Sequence, residues 1–163
     1  MLEQEIASVM SFVIDKADNP APYYWNIPQD FVVPAVYFPQ TEIVSGADTL
    51  SSYTLDYSLF VKFFAKDTQS AHAMGSAVLT AIKSIKNDIP LIDENGESTG
   101  RIVRMDDPVL RPTGDMAAQL TLMWTSHRPY YEKAFTKMET FEINLFLKNS
   151  FDNAVVNYNN NRR

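Results

Sequence analysis

"SSYTLDYSLFVKFFAKDTQSAHAMGSAVLTAI" (residues 51–82) changes its period in the middle. Up to Phe63 it alternates: Tyr53, Leu55, Tyr57, Leu59, Val61 and Phe63, with Leu50 before them, fall on one face. Ser52, Thr54, Asp56, Ser58 and Lys62 fall on the other, interrupted by Phe60. That is a half-buried antiparallel strand, longer than the usual five or six residues. From Ser70 the repeat is helical, with Ala71, Met74, Val78, Ile82 and Ile85 as the buried stripe. Asp67 or Thr68 can cap that helix, because a side-chain oxygen there accepts from the orphan N–H groups of the first turn. A long strand therefore feeds a short capped turn and then an amphipathic helix.

Upstream, Leu2, Ile6, Val9, Met10, Val13 and Ile14 recur at helical spacing and predict a helix over residues 2–17. Asn19 closes it, and Pro20 and Pro22 cannot continue it. "YYWNIPQDFVVP" (23–34) reads either as an irregular segment packed on the core or as an exposed contact loop. Residues 35–44 predict a first strand ending at "SGAD". Downstream, Asn95–Gly96 predicts a hairpin between strands at 91–93 and 99–105, and "DDPVLRPTGD" (106–115) reads as a connection. A last core strand runs through 117–126, with Ala118, Leu120, Leu122 and Trp124 on one face. The order helix, strand, strand, helix, strand, strand, strand gives an α+β class: an antiparallel or mixed sheet with an N-terminal and a central helix on one face. Residues 1–131 form a single domain in this reading; residues 132–163 add one more alternating segment and a basic, Asn-rich tail.

At 163 residues the chain can bury a substantial core, roughly two-thirds of its unfolded surface. Hydrophobic residues at 45% and charged residues at 21% are ordinary for a folded soluble domain. The absence of cysteine removes disulfides, thiol nucleophiles and Cys-ligated metal sites. Glu3 and Glu5 stand where a secretory signal would be basic, and no apolar run is long enough to span a bilayer, so a soluble protein, intracellular when made, is expected. Residues 1–66 hold 3 basic and 8 acidic side chains, whereas residues 128–163 hold 6 and 4. So acidic a body is poorly suited to gripping a phosphate backbone.

Chemistry is sparse. His72 and His127 are far apart and neither stands in a metal-binding spacing. Asp93–Glu94 and Asp106–Asp107 are adjacent acids beside turns, a common solvated arrangement. With only five Gly, there is no phosphate-binding glycine loop and no GxSxG. Neither an enzyme nor a cofactor nor a metal is expected; the contrary reading, a small acidic enzyme or ligand-binding domain, would need a pocket that gathers His127, Asp106 and Asp107. In "SHRPYYEKAFTK" (126–137), Arg128, Tyr130, Tyr131, Lys133 and Lys137 could stack and pair with a single strand, but Tyr and Arg on a short exposed segment favour protein–protein contacts.

The order of elements, with "VPAVYF", "YTLDYSLFVKFFAK", "SAHAMGSAVLTAIKSI" and "AAQLTLMW", resembles the tail terminator (tail completion, head-to-tail joining) proteins of long-tailed bacteriophages over residues 2–127. The resemblance implies a virion protein that forms a homohexameric ring on the end of the tail tube, stops its growth and joins it to the head. The implied partners are further copies of the chain, the tail tube protein and a head-completion or neck protein, with DNA passing through unbound and no membrane. Other neck connectors share this character. Candidate contact residues are Arg128, Tyr130, Tyr131, Phe141, Ile143 and Leu145, the last three in a segment suited to adding a strand to another sheet's edge.

Overall fold

In the computed structural model the described residues are 2–131, except Asp115. The expected strand at 141–147 lies outside them. The described elements are α1 (Leu2–Lys16), β1 (Ala21–Tyr24), β2 (Ala35–Phe38), β3 (Glu42–Ala47), β4 (Ser52–Phe64), α2 (Thr68–Ser84), β5 (Asp88–Ile92), β6 (Ser98–Arg104), β7 (Val109–Gly114) and β8 (Ala117–Pro129). The fold is α+β.

β4 and β8, each of 13 residues, pair antiparallel along their whole length, from Ser52↔Pro129 to Phe64↔Ala117. Because side chains alternate, the odd residues of β4 and the even residues of β8 share a face. Tyr57, Leu59, Val61 and Phe63 meet Ala118, Leu120, Leu122 and Trp124 there, all buried. Val9 and Val13 of α1 and Val78 and Ile82 of α2 close over them. The sheet runs β1–β2–β4–β8–β7, with β3 also beside β4; β5 and β6 form a separate hairpin. That hairpin is tied to α1 by Gln4 Nε2 donating to Ile92 O (2.9 Å) and Ile92 N donating to Ser8 Oγ (3.1 Å).

Both helices end alike. Asp18 and Asn19 take positive φ (66° and 52°), and Asn19 N donates to Ile14 O; Lys86 and Asn87 repeat this (57° and 64°) after α2. Asp67 caps α2 by accepting from Ser70 N at 2.8 Å. Ala71, Val78 and Ile82 are buried as expected; Gly75 joins them, while Met74 and Ile85 are half-buried. At Gly75 a Cβ would come within 2.5 Å of Leu110 Cδ1, so α2 approaches β7 closely there.

Five expectations are corrected. Residues 35–44 are not one strand. Between the pairs Tyr37↔Lys62 and Glu42↔Ser58, four edge residues (38–41) stand opposite three (59–61), and Pro39 has no N–H to donate. The edge breaks there into β2 and β3. Residues 109–114, expected as a connection, form β7; Pro112 is tolerated because β7 is an edge strand with a register shift at that point. The segment 23–34 divides: Tyr23 and Tyr24 belong to β1, parallel to β2, and Phe31 packs on Phe64 (5.1 Å), while Trp25 and Val32 are exposed. In the β5–β6 turn only Gly96 has positive φ (82°); Asp93 Oδ1 accepts from Asn95 N and Glu97 N, so the side chain of Asp93 shapes a turn expected of Asn95. Leu50 is fully exposed in the β3–β4 turn, not on the buried face.

Replacing Leu122 by Ala should cost about 2–5 kcal/mol in urea denaturation, the range for a buried leucine. Asp67 gives a pH-dependent counterpart. The Ser70 N–H holds its carboxyl below the usual value, so its contribution is complete above the unfolded-state pKa and is lost as pH falls through the folded one. Asp67→Ala should lower stability at neutral pH, and Asp67→Asn should preserve the cap while removing that part of the acid dependence.

Candidate functional site

β4 and β8 are covered by helices over only part of their length. From Tyr57 and Trp124 inward the shared face is core; beyond them lies a three-stranded end made of β3, Ser52–Asp56 and Thr125–Pro129. Every residue of β3 but Gly46 is exposed. Gly46 is needed because a Cβ there would meet Thr54 Oγ1 at 2.6 Å.

Where the end meets the core it is fastened by one carboxylate. Glu5, on the same face of α1 as Val9 and Val13, is buried. Its Oε1 accepts from Arg128 Nη2 (2.7 Å) and Ser126 Oγ (3.0 Å), and its Oε2 accepts from Trp124 Nε1 at a longer 3.4 Å. Three successive inward residues of β8 thus converge on one acid of α1. The Arg128 and Glu5 side chains are only 13% and 8% exposed, so the pair has left water. The Tyr57 ring lies flat against Trp124 (4.8 Å, 2°). Burial pushes the Tyr57 phenol above its ordinary value, opposed by the nearby Arg128 guanidinium. The Tyr57 hydroxyl and Arg128 Nε are buried, and their geometry makes no regular hydrogen bond.

The turn joining β3 to β4 is closed by its own hydroxyls. Thr49 N donates to Ser52 O (3.0 Å), and Ser52 Oγ donates to Asp48 Oδ2 (2.7 Å). Across the sheet His127 Nδ1 lies 3.0 Å from the same Asp48 oxygen. Ser52 first, and His127 second, hold the Asp48 carboxyl below the usual range. Beyond Pro129 the ladder continues: Tyr130 N donates to Ser51 O (2.9 Å), and the rings of Tyr130 and Tyr53 meet at 5.3 Å. On the opposite, helix-free face, Thr125 Oγ1 donates to Asp56 Oδ1 (2.7 Å).

His127, Asp106 and Asp107 do not come together. His127 is occupied by Asp48. The Asp106 N–H is bonded to Met123 O, four residues along β8 from His127, or roughly 13 Å of strand. Asp107 accepts from Lys83 and from Asn87 Nδ2 at the end of α2, and His72 is exposed on that helix. Of the expected contact residues, Tyr130 and Tyr131 are exposed, whereas the Arg128 side chain is turned inward and paired. Phe141, Ile143 and Leu145 lie outside the described residues. Glu5 was not singled out from the sequence, although its signal was there: Glu5, Val9 and Val13 follow at i, i+4 and i+8, and an acid on a buried stripe needs a partner. Among the described residues no helix is long and apolar enough to cross a membrane.

These features define a one-sided α+β sheet whose outer strands are fastened to a core but not covered by it. No family model matches the chain. It is 38% identical over 132 residues to the uncharacterized protein YqbJ of Bacillus subtilis strain 168, and 33% identical over 132 residues to the phage-like element PBSX protein XkdJ of the same strain. Each match covers 81% of this chain and 89% of the relative. The chain belongs to the family of these two proteins, a phage-related one.

Removing one partner of the Glu5–Arg128 pair leaves a buried charge uncompensated, so Glu5→Leu or Arg128→Leu alone should each destabilise by about 3–5 kcal/mol. The double variant should cost much less than their sum. Additive losses in a double-mutant denaturation cycle would show that the two side chains do not act as a pair.

Proposed function

We propose that the chain is a virion assembly protein of tailed phage, a tail terminator that works as a homo-oligomeric ring of six on the end of the tail tube. The reading is supported by membership of a family that includes a phage-like element protein, and by the order of elements described above. The single observation that carries it is the three-stranded end, whose β3 is exposed and which the Glu5–Arg128 pair fastens to α1. An end whose outer strand its own core leaves uncovered is suited to making contact with something else.

Rings arise when one surface meets a different surface of the next copy and the rotation closes. Capping then replaces one subunit interface with another: the ring covers the end of the growing tube and presents a fresh surface to the head or neck. The acidic body, with 3 basic and 8 acidic side chains in residues 1–66, favours a lumen that DNA crosses without being gripped. In this reading the protein is not an enzyme and needs no cofactor.

Light scattering on the full chain over a wide concentration range should give a native mass near six subunits. Added to polymerising tail tube protein of the same phage, it should shorten the tubes and decorate one end in electron micrographs. A ring that ignores the tube and binds a head-completion protein would identify another neck connector instead. A monomer at every concentration that leaves tube length unchanged would contradict the reading.

A further inference from the structure

Among the described strands β1, β3, β6 and β7 lie at edges, and β8 beyond Trp124 is unpaired on the side away from β4; the edges of β1, β6 and β7 are guarded. β1 is four residues long and contains Pro22; β7 contains Arg111 and Pro112 and shifts register between Pro112 and Gly114; β6 contains Gly100 at positive φ (74°), Arg101 and Arg104. Short length, proline, basic side chains and bulges are the usual means of keeping an edge from pairing with another chain. β5 is covered by α1 through Gln4 and Ser8. β3 has none of these devices. Its sequence is Glu-Ile-Val-Ser-Gly-Ala, it runs six residues in unbroken register with β4, and Val44 is 64% exposed.

The topology also leaves room beside it. β2 and β3 lie end to end along the same side of β4, and β1 covers only β2. Backbone pairing in that outer lane stops where Trp25 N donates to Phe38 O (2.9 Å). Alongside β3 the lane is open for a strand in line with β1, and the exposed indole of Trp25 follows the end of β1.

We infer that the open edge of β3 accepts an extended segment from a second copy of this chain, supplied by residues 141–147. The inference rests on the self-assembly part of the reading above and names its joint. "FEINLFL" alternates Phe141, Ile143, Leu145 and Leu147 on one side, the pattern of a strand that joins a sheet with one apolar face. Tyr130 N extends the β8 ladder to Ser51 O, so the last described pairing lies across β4 from β3, and 32 residues follow Tyr131. An arm and an edge are different surfaces, which is what a ring of identical copies requires.

The cysteine-free chain allows a direct test, since every disulfide formed is an introduced one. Val44→Cys is combined in the full chain with Phe141→Cys, Ile143→Cys or Leu145→Cys, and two differently tagged copies are co-expressed and oxidised. At least one combination should cross-link tag to tag about tenfold more than the same arm cysteine paired with Thr113→Cys on the guarded β7 edge, because a disulfide forms only at Cβ separations of about 4 Å. Val44→Lys, at an exposed position, should leave the unfolding midpoint in place and reduce the assembled fraction; Thr113→Lys should change neither. If the wild-type chain assembles but no arm cysteine joins Val44→Cys above the control, the joint is wrong while self-assembly stands. A disulfide confined to one chain overturns the second-copy assignment. A wild-type monomer at every concentration removes the self-assembly reading and this joint together.

Discussion

The fold depends on the 13-pair ladder between β4 and β8, and on how unequally its two halves are covered. Its inner half is the centre of the hydrophobic core, with both helices laid across it. Its outer half is less covered: Leu55 still packs against the core, but β3 beside it is exposed. The Glu5 carboxylate ties this half to α1 through Arg128 and Ser126, and more distantly through Trp124 at the boundary. Tyr57, flat on Trp124, closes the core at the same level. Desolvating the ion pair costs free energy, so such a pair is weak evidence for added stability. Its consequence here is positional: it fixes where the outer strands stand relative to α1.

Much of this architecture was legible in the sequence because the long elements are strongly periodic. Fifty-one to eighty-five carried a two-residue period, an Asp cap and a helical period in succession, and each has its structural counterpart. Residues 117–126 gave β8 and its buried face for the same reason. What was not legible was set by partners distant in the chain. Ala21–Tyr24 is a strand only because Ala35–Phe38 lies beside it, and Val109–Gly114 only because Ala117–Thr121 does; both contain proline, which argues against a strand until its edge position is known. Likewise the break at Pro39 reflects an extra residue opposite β4, a count that requires the register. Tyr130 and Tyr131, picked from composition, are exposed, but the inward turn of Arg128 follows from its parity on β8 and from the acid waiting on α1.

A domain arranged in this way separates folding from association. The core residues are consumed by the inner half of the sheet, and what remains at the outer end is backbone edge, small residues and exposed Ile43 and Val44. Backbone edges give affinity through hydrogen bonds, and the side chains flanking them select the strand that is accepted. If β3 is the joint proposed above, a family member of this design keeps its fold while changing its neighbour through that edge. Proline in β1, basic side chains in β6 and the register shift in β7 work against strand pairing at those edges.

Hydrogen–deuterium exchange on the full-length protein at low and high concentration tests this separation most directly. The account predicts that amides of β3 gain protection as the protein associates, while those of the inner halves of β4 and β8 are strongly protected at both concentrations. Unchanged exchange in β3 on association, with new protection appearing instead along β7 or over the helices, would contradict it.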